Sequence, residues 1–313
     1  MTVLPHQSIA DSDRQLPLGG EIFLDHVGHF VREPAAAGRA LQRLGFHATP
    51  VSIQVNPAPR GGDIPTGTGN ITVMFHRGYV ETLFKTADTP LGRELDSAIA
   101  RYGGVHLAAF AVSDAAAAHR RLETSGFRVR PLVEMQRPVE TAEGPDVAAF
   151  TITRVEPGQM AEGRIQILTH RTERTVWQPR WLDHPNGAMG LIDVVIVSRD
   201  VGDAGSRFSH FLDRPAAANA YGHVVTLDRG RVQIVAPDAF ARLVPDLVIP
   251  SLPFIGLYAI AVRSLDVLEG HLRSGGADFV RHGDSILARF PMELGAGAWI
   301  FAEQPAALPW RAS

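Results

Sequence analysis

Thirteen histidines and 33 Asp and Glu side chains supply the titrating chemistry of this chain, which has no cysteine. Without thiols there are no disulfides, no thiolate nucleophile, no zinc finger and no Cys-ligated iron–sulfur cluster. Metal chemistry then falls to His, Asp, Glu or neutral oxygen donors. Imidazole also titrates near neutrality, where proton transfer is useful. His26 and His29 lie three apart in an apolar run, so on a strand they face opposite ways. His170 follows Gln166 by four residues, with the same strand parity and about 13 Å further along. At a strand end it suits a general acid/base or a contact to a substrate anion; the plain alternative is an interdomain hydrogen bond. Glu81 lies among Tyr79, Val80, Leu83 and Phe84, where a buried charge needs a cation or a hydrogen-bonded partner. His76 in a turn and His119 on a helix are expected in solvent. Arg60, Arg77, Arg164 and Arg171 are candidate anion contacts in a chain whose single lysine is Lys85.

The elements that position these residues repeat. Four segments open on a strand-like apolar run, at Leu24, Gly104, Gly190 and Gly256. Each continues through a helix-start signal (Arg-Glu-Pro, Ser-Asp, Ser-Arg-Asp, Arg-Ser-Leu-Asp) into an Ala/Leu/Arg-rich stretch of helical spacing, ending near Gly45, Gly126 and Gly275 in three of them. Each is followed by a Gly-x-x-X strand: Gly78-Tyr-Val-Glu81, Gly163-Arg-Ile-Gln166, Gly230-Arg-Val-Gln233 and Gly297-Ala-Trp-Ile300. Intervening runs such as Asn70–Phe75 and Ala148–Ile152 add strands. The pattern predicts an α+β protein of four β-α-β-β-β units. One such unit is an open curved sheet that needs a partner, so the units pair into two cup-shaped mixed sheets. The expected layout is an N-terminal arm over 1–20, a first pair over 21–170, a linker over 171–189 and a second pair over 190–313.

Composition bounds the partners. The 313 residues carry a net charge of -3, with 30 Lys and Arg against 33 Asp and Glu, so no basic surplus exists to neutralise a nucleic acid. No apolar run reaches the length of a membrane span, and the first twenty residues lack the plan of a secretory signal. A soluble cytoplasmic protein acting on a small molecule is the resulting expectation, with a homodimer as one open state.

Leu24-Asp-His26-Val, Gly67-Thr-Gly-Asn70 ahead of Gly78-Tyr-Val-Glu81, Val105-His106-Leu, and His184-Pro-Asn-Gly-Ala188 complete the pattern. With the fourfold repeat, it resembles the vicinal oxygen chelate superfamily, its glyoxalase-like branch in particular, and in layout the extradiol and hydroxyphenylpyruvate dioxygenases. The resemblance implies the glyoxalase/bleomycin resistance/dioxygenase fold. It implies a metal in the cup of one pair, held from the first and last strands of each unit. Carried over, those positions are His26, Glu81 and His106 as ligands, with Gln166 as a weak fourth donor or a catalytic hydrogen-bonder; His170, by its own place further along the strand, is the catalytic candidate for moving a proton or anchoring a substrate oxygen. Two imidazoles and one carboxylate suit Fe(II), with positions open for substrate and dioxygen; Zn(II), Mn(II) or Ni(II) are alternatives. The corresponding positions of the second pair are about Asp193, Gln233, Tyr258 and Ile300, a degenerate set.

One spacing departs from the repeat. Val31 follows His26 by five residues, whereas Val112 follows His106 by six. With a strand period of two, His106 reaches the cup only if a bulge intervenes, Ala108-Ala109 being the candidate; otherwise Leu107 faces the cup. Three activities follow from the resemblance. A metal-dependent enzyme on a substrate with vicinal oxygens comes first, of dioxygenase type. A glyoxalase-like isomerase or lyase is the second, and a non-catalytic small-molecule-binding protein of the resistance type the third.

Overall fold

The computed structural model describes residues 14–311 except 59 and 61. Its elements follow the fourfold repeat. The first unit is β1 (Ile22–Phe30), α1 (Pro34–Arg43), β2 (Ser52–Pro57), β3 (Asp63–Met74) and β4 (Tyr79–Lys85), followed by an added helix, α2 (Pro90–Arg101). The second is β5 (Gly104–Val112), α3 (Ala115–Thr124), β6 (Val133–Thr141), β7 (Gly144–Arg154) and β8 (Arg164–His170). After a one-turn helix α4 (Glu173–Val176), the third is β9 (Ala188–Val197), α5 (Val201–Leu212), β10 (Ala216–Asn219), β11 (Gly222–Thr226) and β12 (Arg231–Val235). Then α6 (Pro237–Leu243) leads into the fourth: β13 (Phe254–Val262), α7 (Leu265–Ser274), β14 (Phe279–His282), β15 (Ser285–Arg289) and β16 (Ala298–Ala302).

The helix starts use the residues the sequence offers. Pro34 opens α1, where the missing N–H costs nothing. Asp114 and Asp200 accept from first-turn amides of α3 and α5, and Ser264, rather than Asp266, caps α7. The recurring glycines have a different cause. At Gly78 a β-carbon would stand 2.6 Å from the Asp25 carbonyl, and at Gly163 2.4 Å from that of His106. Both positions have positive φ. The last strand of each unit thus begins by pressing its backbone against the first strand, an approach that only glycine allows.

In the first pair the strands run β1-β4-β3-β2-β6-β7-β8-β5, and β5 returns to β1, closing an eight-stranded ring. Closure at β2–β6 is slender, one pairing of Val55 with Gln136. The second pair runs β14-β15-β16-β13-β9-β12-β11-β10, with no pairing of β10 to β14 among the described residues, so it stays an open cup. Helix faces pack on the outer side of the sheet, where Phe110, Phe208 and Phe211 are fully buried. Each such ring is worth roughly 2 kcal/mol of apolar burial. The two pairs join where Ile255 of β13 meets Val105 of β5.

Of the N-terminal arm expected over 1–20, residues 1–13 lie outside the described residues. Arg14 pairs with Glu21, and Arg229 donates to the Arg14 carbonyl. His184, between the pairs, accepts from the His47 amide and donates through Nε2 to the Met74 carbonyl. Among the described residues no helix is long and apolar enough to cross a membrane.

Candidate active site

Two bulges decide what faces the interior of the first ring. In β1, Leu24 pairs with Phe110 and His26 with Ala109, so Asp25 is an extra residue with no partner across the β1–β5 ladder. The kink frees Asp25 from strict alternation and brings its carboxylate to its own neighbour. His26 Nδ1 lies 2.7 Å from Asp25 Oδ2. A carboxylate only accepts, so a proton sits on Nδ1, and in the neutral ring the lone pair is on Nε2. The other Asp25 oxygen accepts from His170 Nε2 at 2.9 Å. Burial alone would raise the Asp25 pKa, but the charges and hydrogen bonds of His170 and His26 outweigh it and hold the carboxyl well below its usual range.

His26 Nε2 points towards Glu81 Oε2 at 3.6 Å, with the imidazole stacked on Tyr79. Burial, and then the charges of Asp25 and Glu81, push the Tyr79 phenol well up, so it stays neutral. The other Glu81 oxygen accepts from Asn70 at 2.5 Å and Gln54 at 3.1 Å. Gln54 is itself fixed by the Thr68 hydroxyl, which donates to its Oε1 at 2.6 Å. The Gly67-Thr-Gly-Asn70 motif thus holds the Glu81 carboxylate in place. Gln166 faces the same interior, its Oε1 accepting from Arg154 Nε at 2.9 Å.

The second bulge falls on His106. Gly28 pairs with Leu107 and His29 with Val105, so His106 is the extra residue of β5. It turns out of the ring. Its Nε2 donates to the Tyr102 carbonyl at 2.8 Å, its ring stacks on Tyr102, and burial lowers its pKa to about 4. Leu107 takes the inward place. Register makes the equivalence explicit: Leu107 pairs with Arg164 as His26 pairs with Tyr79, and Ala109 with Gln166 as Gly28 with Glu81. In place of the candidate bulge at Ala108-Ala109, the extra residues are Asp25 in β1 and, two residues before Ala108, His106 in β5. The structure therefore brings His26, Glu81 and Gln166 to one cavity, links His170 to them through Asp25, and leaves His106 apart.

The second pair repeats the substitution. Asp193 and Gln233 hold the places of His26 and Glu81, and Leu257, not Tyr258, faces that interior. Asp193 is occupied by Trp310 Nε1 and a bidentate Arg311 from the C-terminal segment. Tyr258 turns outward and donates to His29 Nε2 at 2.9 Å, while His29 Nδ1 donates to the Leu294 carbonyl.

Three residues with no part in the expected metal site complete the ring interior: Arg137, Arg154 and Arg164. Burial lowers the pKa of all three, Arg154 to about 9 with Arg164 adding to the effect. The interior is about 30 Å³, room for roughly two waters. Arg154 and Arg164 also line a larger cavity, so they stand between the two spaces. The signal for Asp25 and Asn70 lay inside the quoted motifs, and Arg164 was among the anion contacts; nothing local marked Gln54, Arg137 or Arg154.

A divalent metal finds one imidazole and one carboxylate here. Gln166 Oε1 is already engaged by a guanidinium, and among the described residues no group of three His, Asp or Glu is placed to hold a metal ion. Three guanidiniums lining the same space oppose a dication further. The donor set does not fit a metal centre at His26, Glu81 and His106, because the β5 bulge replaces the second imidazole with Leu107.

Comparison with known proteins places this geometry. The structure superposes on a hypothetical protein from Staphylococcus aureus with a TM-score of 0.59 at 11% identity, over 90% of this chain and 98% of that one. It superposes on a mutant 4-hydroxymandelate synthase from Streptomyces coelicolor with a TM-score of 0.52 at 15% identity, over 90% and 93%. A xylose isomerase-like TIM barrel/4-hydroxyphenylpyruvate dioxygenase fusion protein gives 0.52 at 10% identity, over 94% of this chain and 51% of that one. These likenesses concern the fold. No curated protein sequence matches. Residues 24–212 match the family described as Glyoxalase-like domain. With its four β-α-β-β-β units, the chain belongs to that glyoxalase-like family of the vicinal oxygen chelate superfamily.

Proposed function

We propose that the chain is an acid–base enzyme of isomerase or lyase type, acting on a small substrate with two adjacent oxygens. The observation that carries this is His26: Nδ1 is anchored on buried Asp25, and Nε2, bonded to no protein donor, faces the ring interior. The interior as it stands holds about two waters, so the substrate enters as Arg154 and Arg164, which part it from the larger cavity, swing aside. The imidazole then takes a proton from a carbon next to a carbonyl. The electron pair of that C–H bond moves onto the carbonyl oxygen. The Arg154 and Arg164 guanidiniums supply the positive charge such an oxyanion needs, and a guanidinium fork matches two adjacent oxygens. Asp25 then stabilises the imidazolium, with Glu81 facing it across 3.6 Å. Return of the proton to the former carbonyl carbon, with the adjacent hydroxyl's proton passing to the oxyanion, gives isomerisation; delivery to a hydroxyl leaving from the next carbon, as the oxyanion re-forms the carbonyl in a conjugated C=C–C=O, gives elimination. His170 holds the second oxygen of Asp25 and so orients the base.

The Fe(II) dioxygenase reading has one observation in its favour. Asp25 on Nδ1 of His26, and Gln54 and Asn70 on Glu81, are the outer contacts that metal ligands usually have. The third protein donor is what it lacks. One assay separates the readings. Protein treated with chelator, and protein loaded with Fe(II), Mn(II), Ni(II) or Zn(II), is given a panel of 2-oxo acids, hydroxyketones and catechols, with oxygen uptake followed. Turnover in the chelated protein without oxygen uptake, lost in His26→Ala, supports the acid–base reading. Oxygen uptake confined to the Fe(II) form supports the dioxygenase, and binding without turnover supports the resistance-type binder.

A further inference from the structure

Beside the ring lies a cavity of about 750 Å³, a size that encloses a small organic ligand. Its walls come from α2, the 155–163 loop and the segment Leu252-Pro253 of the second pair. Arg101 ties these walls together by donating to the Pro253 carbonyl at 3.1 Å. The lining is apolar along Phe30, Met160, Ile165 and Pro253, and strongly cationic at the end nearest the ring.

The charges in this cavity do not balance. Five arginines line it against two carboxylates, Glu94 and Glu156; Asp88, outside the cavity, takes Arg93, which leaves four arginines against those two. Glu94 divides itself between Arg130 at 2.8 Å and Arg164 at 3.5 Å, and Glu156 lies 3.5 Å from Arg130. Arg154 and Arg164 both line this cavity and the ring interior, and Arg154 has an amide, Gln166, as its hydrogen-bond partner. The Arg164 side chain is only 11% exposed and lies over the Phe30 ring. Two guanidiniums side by side, mostly withdrawn from water, are stabilised by an anion that reaches them. His106 forms part of the wall as a buried neutral imidazole and adds no charge of its own.

We propose that this cavity binds a small amphipathic organic anion, an alkyl or arylalkyl carboxylate. Its carboxylate meets Arg154 and Arg164, and its apolar body lies against Met160, Ile165 and Pro253. The two guanidiniums are shared with the proposed reaction, but the binding is read directly by titration and stands or falls without turnover.

Isothermal titration tests it with phenylacetate, its neutral isostere phenylacetamide, and inorganic phosphate. Phenylacetate is expected to bind about tenfold tighter than the amide or more, as charge-assisted contacts imply. Arg164→Gln should weaken phenylacetate by about tenfold and leave the amide within about twofold. Ala161→Trp, on the surface loop, should fill the cavity and abolish both, with an unchanged melting temperature to show that the variant folds. Should Arg164→Gln fail to fold, Arg101→Gln at the exposed rim takes its place, with phenylacetate binding weakened by about threefold or more expected. Equal affinity for phenylacetate and phenylacetamide overturns the proposal. So does phosphate binding as tightly as phenylacetate, undiminished phenylacetate binding in the arginine variant that folds or in Ala161→Trp, or no heat from any ligand at millimolar concentration.

Discussion

Leu107 stands in the second unit where His26 stands in the first: it pairs with Arg164 across β5 and β8 as His26 pairs with Tyr79 across β1 and β4. One leucine thus separates this ring from a two-imidazole metal cup, and it faces inward because the extra residue of β5 is His106.

Leu107→His should restore a second imidazole beside His26 and Glu81. Zn(II) affinity, measured by titration after chelator treatment, is expected to rise by about tenfold or more over the wild-type chain, as a third protein donor implies. Equal affinity would show that position 107 does not govern metal binding.

Asp25→Asn should leave the fold intact and disorder the base. An amide can donate to His26 Nδ1, favouring the tautomer with its proton on Nε2, where no lone pair remains for the substrate. The turnover number is expected to fall by about two to four orders of magnitude with a smaller change in KM. Activity within a factor of about three of wild type would remove Asp25 from the catalytic chain.

Acid should unfold the protein through its buried histidines. Burial lowers His29, His106 and His184 to about 4 each. These groups take up protons in the unfolded chain at a higher pH than in the folded one. Their stabilising contribution is therefore complete above about pH 6.5 and is lost as pH falls towards 4, at up to about 1.4 kcal/mol per pH unit for each group. Asp25, held below its usual range, adds a further loss as pH falls below the ordinary carboxylate pKa and towards its own lower value. Thermal scans should show a steep decline across that window, shallower in His106→Gln; a flat profile would contradict it.

Gly78→Ala should destabilise by about 1–3 kcal/mol, since the added carbon meets the Asp25 carbonyl at a positive φ. Denaturant melts measure this, and a neutral result would show that β1 and β4 can part without cost.

The fold was legible because its signals are local. Pro34, Asp114, Asp200 and the four strand-opening glycines each act on their own turn or on the strand beside them. The inward set was legible where alternation is regular, as from Glu81 along β4 and Gln166 along β8. It failed at His106 because a bulge is fixed by pairing between β1 and β5, far apart in the chain. Asp25 escaped notice for the same reason: regular alternation points it away from His26. The inward turn of Arg137 and Arg154 depends on the register of β6 and β7, which no local motif announces.

Proton abstraction by His26 in a metal-free ring is tested most directly by deuterium exchange. Chelator-treated protein is incubated in heavy water with the 2-oxo acids and hydroxyketones of the assay panel, and loss of the C–H signal next to the carbonyl is followed by proton NMR. Exchange that persists in chelator and disappears in His26→Gln is the expected result. Exchange that needs added Fe(II), or that survives His26→Gln, would contradict it.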